Sequence, residues 1–140
     1  MTKIVKEIKF DCAHMLSFYD GKCSNLHGHT YHGSVTIEGQ SNPNTFMVLD
    51  YNTIKEVVDV LDHAVLISAE RVRNEAESHL LKWCQDYGMR FEIIKEGKTT
   101  AEVLVKHILH MLEPKVPGCT VTVVLSETDG SFASGSLKCR

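Results

Sequence analysis

Residues 23–29, CSNLHGH, bring two imidazoles and a thiol within seven positions of one another. His27 and His29 are separated by one residue, and in a β-strand residues with this spacing project from the same face of the sheet. Imidazole nitrogen is a frequent zinc ligand, and catalytic zinc sites use three protein ligands so that a fourth position stays open. The pair therefore predicts two ligands of a metal site and requires a third from elsewhere in the chain.

His14 is the candidate for that third ligand. It ends a strand predicted over residues 8–14, in which alternate residues share a face. A second strand, predicted over residues 27–40, begins with the histidine pair, so a hairpin would place His14 opposite this pair. An isolated H-x-H pair more often consists of packed or solvated histidines than of ligands. The shared strand faces nevertheless favour a zinc site formed by His14, His27 and His29.

Cys23 has three interpretations. It is a fourth zinc ligand in a closed structural Cys-His₃ site, a thiolate acid/base beside the metal, or a small buried hydrophobic residue. The loop over residues 17–26 is polar, and Lys22, Ser24 and Asn25 flank the cysteine, which argues against burial. We favour the acid/base role, because a neighbouring zinc ion and imidazolium stabilise a thiolate.

Two further motifs have a structural explanation that needs no ligand. Asp62 and His63 stand at the end of a helix predicted over residues 51–62, where a histidine is favourable beside the helix dipole. Thr99 and Glu102 have the spacing of a capping box, in which Thr99 caps a helix and Glu102 reaches back from the third helical position.

Glu127 is harder to explain structurally. It shares the apolar face of a strand predicted over residues 120–128, and burying an unpaired carboxylate is costly. A buried carboxylate at a strand end is suited to binding paired N–H donors, such as the amino-pyrimidinone edge of a pterin.

The hydrophobic pattern predicts an antiparallel α+β sheet, because hairpins flank the helices. The helix over residues 51–62 is capped near Asp50, and a longer helix over residues 69–87 is expected between a capping Ser68 and Gly88. The other predicted elements are a short strand over residues 90–95, a helix over residues 100–112, the strand over residues 120–128 and a weaker strand over residues 132–137. The apolar stripe of the long helix consists of Val72, Ala76, Leu80, Trp83 and Tyr87.

Length and composition fit a single domain over residues 1–140. The net charge of −3 gives no electrostatic reason to expect nucleic-acid binding. No apolar run approaches the ~18 residues of a membrane span, and MTKIVKEIKF at the N-terminus has no signal-peptide core. Five cysteines without a C-x-x-C pair fit a reducing compartment. We therefore expect a cytoplasmic protein with no nucleic-acid or membrane partner.

Several motifs follow one another in a characteristic order. They are FDCAH at residues 10–14, CSNLHGHTYH at 23–32, MVLDY at 47–51, LDHAVLI at 61–67, TTAE at 99–102 and LSET at 125–128. Their order and spacing resemble the 6-pyruvoyl-tetrahydropterin synthase family over nearly the whole chain, from residue 10 to about residue 132. The short interval between Cys23 and His27 resembles the bacterial 6-carboxytetrahydropterin synthase branch, since the animal branch typically has a longer gap.

The resemblance implies the tunnelling fold, with an antiparallel four-stranded sheet and helices packed on one face. Subunits of such proteins join their sheets into a barrel. It therefore also implies a homo-oligomer, a hexamer with active sites at the subunit interfaces.

An activity is implied as well. The bacterial branch converts 7,8-dihydroneopterin triphosphate to 6-carboxy-5,6,7,8-tetrahydropterin with release of acetaldehyde and triphosphate, on the way to queuosine and other 7-deazaguanines. Rival interpretations are 6-pyruvoyl product formation, another pterin side-chain cleavage, or a non-catalytic interaction module with structural zinc. By position in the motifs, the zinc ligands are His14, His27 and His29, the catalytic residues are Cys23, Asp62 and His63, and the pterin-binding residues are Thr100, Glu102 and Glu127.

The chain departs from the family pattern near the expected pocket. Lys98 and Thr99 stand where an Asn-Pro pair is usual, and the segment over residues 68–98 is long where many bacterial members are short. The C-terminal SFASGS lacks an aromatic ending. None of these departures affects a proposed zinc ligand.

Overall fold

A computed structural model describes residues 1–70 and 75–140 of the chain. The strands are β1 (Thr2–His14), β2 (His27–Gly39), β3 (Ala64–Ser68), β4 (Phe91–Ile94), β5 (Thr120–Thr128) and β6 (Ser131–Lys138). The helices are α1 (Tyr51–Asp59), α2 (described over Glu75–Tyr87) and α3 (Ala101–Leu112), with short 3₁₀ turns at Lys22–Ser24 and Glu113–Lys115.

The predicted hairpin at the centre of the sheet is confirmed. β1 and β2 pair antiparallel along their whole length, with His14 opposite His27 and Cys12 opposite His29. β2 pairs antiparallel with β5, and β5 with β6. Because β1 extends back to Thr2, it is much longer than the strand predicted over residues 8–14.

The prediction of a four-stranded antiparallel sheet is wrong. Within the described residues the sheet has six strands in the order β4-β3-β1-β2-β5-β6, and β3 pairs parallel with both β1 and β4. The hydrophobic pattern predicted no strand over Ala64–Ser68, because this short, continuous apolar run lacks period-two alternation. Such a run is typical of a parallel strand buried on both faces, and periodicity alone does not distinguish it from buried helix.

The expectation that all helices pack on one face is also wrong. α1 and α3 share the main apolar core with the inner face of the sheet, where Phe10, Tyr31 and Leu66 are buried. Ile67, on the opposite face of β3, and Leu81 of α2 are buried outside that core. Since α2 contacts β3, this placement indicates that α2 covers the second face of the sheet there.

The helix boundaries differ from those predicted. Asp50 caps α1 as expected, through a 2.8 Å bond from the Asn52 N–H, but α1 ends at Asp59. The second helix was predicted to begin at residue 69, but residues 69–70 form a turn. The next part of the predicted helix, which includes Val72, lies outside the described residues. None of the helices described in residues 1–70 and 75–140 combines the length and apolar character needed to cross a membrane.

The apolar stripe predicted for the second helix does not match the buried face of α2. Trp83 and Tyr87 are exposed, and Leu81 and Cys84 are buried in their place. The cap of α3 is Thr100, whose hydroxyl accepts from the Val103 N–H, so the predicted capping role of Thr99 is wrong.

Candidate active site

The hairpin brings His14 and His27 side by side at the ends of their strands. Their Nε2 atoms are 3.1 Å apart. The Nδ1 of His14 donates to the backbone carbonyl of Thr99 at 2.8 Å, and the Nδ1 of His27 donates to the carbonyl of Asn25 at 2.7 Å. A carbonyl oxygen only accepts, so each Nδ1 carries a proton, and each Nε2 is the ring nitrogen that faces the other histidine.

His14 is neutral over the physiological pH range. Its side chain is fully buried, and this burial lowers the pKa of His14 to about 4, despite the opposing hydrogen bond to the Thr99 carbonyl. The Nε2 of neutral His14 is therefore an acceptor, and a cation bound between it and the Nε2 of His27 would satisfy both nitrogens. The pair is therefore arranged as metal ligands are, with the second ring nitrogen of each held by a carbonyl.

His29 and Glu127 complete the cluster. Nε2 of His29 is 2.7 Å from Oε1 of Glu127, but it lacks the alignment of a hydrogen bond and has no hydrogen-bond partner among the described residues. The same carboxylate oxygen is 3.8 Å from Nε2 of His14. Burial lowers the pKa of His29, against the opposing charge of Glu127.

The dimensions of this cluster suit a small divalent cation. One ligand atom from each of His14, His27, His29 and Glu127 lies within 4.8 Å of all the others. Ligand nitrogens bound 2.0–2.1 Å from a tetrahedral zinc ion would lie about 3.3 Å from one another. Such an ion would satisfy the Nε2 of His29, which has no hydrogen-bond partner among the described residues, and the facing Nε2 atoms of His14 and His27.

Cys23 lies near this cluster without belonging to it. It is half-buried in the Lys22–Ser24 turn, and its carbonyl accepts from the Leu16 N–H at 2.8 Å, which ties the turn to the end of β1. Its sulfur is not part of the four-residue group of ligand atoms. Cys12 is the cysteine directly opposite His29, but burial, reinforced by neighbouring carboxylates, raises the pKa of its thiol to about 12.

Glu127 also faces a second space, on the side of α3. A cavity of about 150 Å³ is lined by Glu127 and Glu102 together with Thr128 and Phe132. The structure thus brings two of the predicted pterin-binding residues together, whereas Thr100 caps α3 and is not in this lining. Small-molecule sites usually enclose about 300–1,000 Å³, so this cavity holds only part of such a ligand.

Asp62 and His63 form a separate cluster with Asp11. Oδ1 of Asp62 accepts from the Asp11 N–H at 2.9 Å, and Oδ2 of Asp62 is 3.0 Å from Nδ1 of His63. The backbone bond from Asp11 lowers the pKa of Asp62, and His63 adds to this effect. The pair lies in the turn after α1, which ends at Asp59 and not at residue 62 as predicted, and it does not join the histidine–Glu127 cluster.

Two residues that touch the predicted site residues were missed by the sequence analysis. Asp11 anchors Asp62 through its N–H and His63 through its carbonyl, yet it lies on the outward face of β1 and no pattern distinguishes it. Thr99 was assigned to a helix cap, but it contacts His14, so the expectation that no departure from the family pattern affects a zinc ligand is wrong. The departure from the family pattern at residues 98–99 was the one available signal.

The fold is shared with solved structures of low sequence identity. A crystal structure of 6-pyruvoyl tetrahydropterin synthase from Plasmodium vivax is 19% identical, with a TM-score of 0.67 and 98% of both chains covered. An uncharacterized protein from Wolinella succinogenes is 21% identical, with a TM-score of 0.67 over 96% of this chain and 97% of that one. The mixed sheet with its helices is therefore a form of the tunnelling fold.

Sequence comparison assigns the chain to a family. The family model described as 6-pyruvoyl tetrahydropterin synthase matches residues 3–136, and the chain belongs to this family. A 6-carboxy-5,6,7,8-tetrahydropterin synthase from Haemophilus influenzae is 35% identical over 94% of this chain and 96% of that protein. One from Rickettsia bellii is 27% identical over 83% of both chains.

Proposed function

We propose that the chain is a zinc-dependent 6-carboxy-5,6,7,8-tetrahydropterin synthase that serves 7-deazaguanine and queuosine biosynthesis. It would convert 7,8-dihydroneopterin triphosphate and water to 6-carboxy-5,6,7,8-tetrahydropterin, acetaldehyde and triphosphate. The choice of product within the family is supported by the names of the relatives, which match the chain over nearly its whole length.

The observation that carries the zinc dependence is the convergence of three imidazoles. The Nε2 atoms of His14 and His27 face each other at 3.1 Å, and the Nε2 of His29 has no hydrogen-bond partner among the described residues. Glu127 supplies a carboxylate oxygen at the open side of this group. A zinc ion held there would polarise the oxygens of the substrate side chain and acidify the adjacent C–H.

The remaining predicted site residues have two roles, which are substrate binding and proton transfer. Glu127 and Glu102 line the cavity beside α3, where a carboxylate accepts from the paired N–H donors of a pterin edge. Cys23, in its turn beside the end of β1, would transfer a proton on one side of the substrate. The Asp62–His63 pair, with Asp62 accepting from Asp11, would transfer the other.

The separation of the two clusters supports a site shared between subunits. His29 and His63 both line one open cavity of about 520 Å³, but the ligand atoms of Asp62 and His63 do not belong to the group formed by the three histidines and Glu127. The His63 side chain is 74% exposed, so it is free to face a neighbouring chain. We therefore propose a homo-oligomer, a hexamer, in which the pair of one chain completes the metal site of another.

The direct test is to incubate the zinc-loaded protein with 7,8-dihydroneopterin triphosphate and identify the products by mass spectrometry. We expect 6-carboxytetrahydropterin and acetaldehyde in equal amounts. Formation of 6-pyruvoyltetrahydropterin would assign the chain to the other branch of its family. Zinc binding without turnover of any dihydropterin would favour the structural-zinc interpretation.

A further inference from the structure

Thr99 is a buried polar residue whose side-chain hydrogen bonds, within residues 1–70 and 75–140, go to His14 and Met15 at the end of β1. Thr99 lies in the segment between β4 and α3, and only 1% of its surface is exposed. Its hydroxyl oxygen is 3.2 Å from Nδ1 of His14, and the hydroxyl lies 3.4 Å from the carbonyl of Met15, to which it donates. A buried hydroxyl needs such partners, because leaving it unpaired is costly.

The proton on Nδ1 of His14 is therefore shared between two oxygens of one residue. The carbonyl of Thr99 is the nearer acceptor at 2.8 Å, and the hydroxyl is the second at 3.2 Å. Two acceptors at different positions define the ring plane, whereas a single acceptor leaves the imidazole freer to rotate. They also confine the lone pair of Nε2 to the direction of the metal cluster.

Thr99 is itself held by its neighbour in sequence. Thr100 caps α3, so the backbone of Thr99 is fixed at the N-terminus of that helix. His14 and Thr99 are 85 positions apart, which makes this contact the link between the ligand strand and α3. At this position a proline, as in the usual family pattern, would retain the carbonyl but would have no hydroxyl.

We infer that the hydroxyl of Thr99 is a positioning group for the metal ligand His14. The inference rests on the proposed zinc site. Partners of a ligating histidine that lie outside the metal's own ligands typically change metal affinity by about 10–100-fold when removed. Because the carbonyl of Thr99 remains in a side-chain variant, we expect the lower end of this range.

The test compares Thr99→Val and Thr99→Ala, which lack the hydroxyl, with Thr99→Ser, which keeps it. Zinc dissociation constants are measured by competition with a chromophoric chelator, and the cobalt-substituted proteins are compared by visible absorption. We expect about 10-fold weaker zinc binding and an altered cobalt spectrum for Val and Ala, with wild-type behaviour for Ser. The use of two variants guards against one of them failing to fold.

Ser68→Ala is the matched control for loss of a buried hydroxyl. Ser68 is 1% exposed and donates to the Gly97 carbonyl at 2.9 Å, in the same region but away from the ligands. This variant should lose stability without losing zinc affinity. If the Val and Ala variants keep the wild-type zinc affinity and cobalt spectrum, the role of the Thr99 hydroxyl is wrong, but the zinc site stands. If the wild-type protein itself binds no zinc, both the zinc site and the role of Thr99 are wrong.

Discussion

At the scale of single residues, the histidine cluster is defined by which ring nitrogen carries the proton. Carbonyl acceptors at the Nδ1 atoms of His14 and His27 direct the two Nε2 atoms toward each other, 3.1 Å apart. A cation bound by these nitrogens binds only the folded protein, so metal binding should also stabilise the fold.

Replacing any one of His14, His27 or His29 by alanine should sharply lower zinc content, because each removes one of three nitrogen ligands. We expect about one zinc per chain in the wild type by elemental analysis. His32, on the opposite face of β2, provides the control: its alanine variant should retain the metal. Full metal retention in all three ligand variants would contradict the site.

The Cys23→Ala variant should keep zinc and bind pterin but lose turnover by about 10²–10⁴-fold, the usual contribution of a positioned acid/base. The reason is that its sulfur lies outside the group of four ligand atoms. Metal content and single-turnover rate measured on the same preparation distinguish the interpretations. If the variant is depleted of zinc, Cys23 is a zinc ligand. If the variant is fully active, Cys23 takes no part in the reaction.

At the scale of secondary-structure elements, a charged network attaches the edge strand β4 to α3. His107 of α3 contacts Glu96 at 2.7 Å and Glu92 at 3.2 Å, and His110 contacts Glu96 at 2.9 Å. Burial opposes ionisation of Glu96, but the hydrogen bonds from His110 and His107 hold its pKa below the usual value. Since α3 begins at the segment that contacts His14, this network also supports the metal site.

The depressed pKa of Glu96 predicts a specific loss of stability in acid. The stabilisation is present above the ordinary glutamate pKa of about 4.3 and is lost as the pH falls through the lower value in the folded protein. Glu96→Gln should be less stable than wild type near neutral pH, and the difference should shrink below about pH 4. Urea unfolding of the metal-free proteins between pH 3 and 7 measures both curves.

Asp86→Asn is the control for this experiment, because it removes the exposed ion pair with Lys82 within α2. Exposed pairs of this kind contribute about 0–1 kcal/mol, so its effect should be small at every pH. A constant stability difference between Glu96→Gln and wild type across the whole range would show that the carboxylate charge is not what stabilises the contact.

At the scale of the whole molecule, one chain keeps the Asp62–His63 pair outside its group of metal-ligand atoms and leaves its sheet with two open edges. β4 and β6 are the edge strands, and such edges are normally paired or covered. The Glu127 cavity is too small for a whole substrate. Assembly of subunits would address all three features, and light scattering should show a stable oligomer, a hexamer, in the active protein.

Mixing inactive variants tests whether sites are shared between chains. Cys23→Ala and His63→Ala, co-assembled in equal amounts, should recover about one quarter of wild-type turnover, because random assembly leaves that share of interface sites intact. Cys23→Ala with Glu127→Ala should recover none, since both residues belong to the same chain's half of the site. Equal recovery in the two mixtures, or an active monomer, would contradict a shared site.

Much of the site could be predicted from the sequence, because its geometry depends on strand parity within a hairpin. Alternation places His27 and His29 on the face of Tyr31 and Val35, and the confirmed register places His14 opposite His27. Glu127 follows the same rule within β5. Period-two alternation is a local property of an extended backbone, so it can be predicted without knowing how the other segments pack.

The tertiary structure alone decided the contacts between distant segments. β3 lies parallel to β1, α2 buries Leu81 where Trp83 was expected, and Thr99 contacts His14 across 85 positions. The N–H of Asp11 likewise finds Asp62 across 51 positions. Periodicity reports which side of an element is apolar, but not which element covers it. The path of the connecting segments determines which strands flank β3, which face of α2 is buried and which groups hydrogen-bond to the ligand histidines. Only the complete fold determines that path.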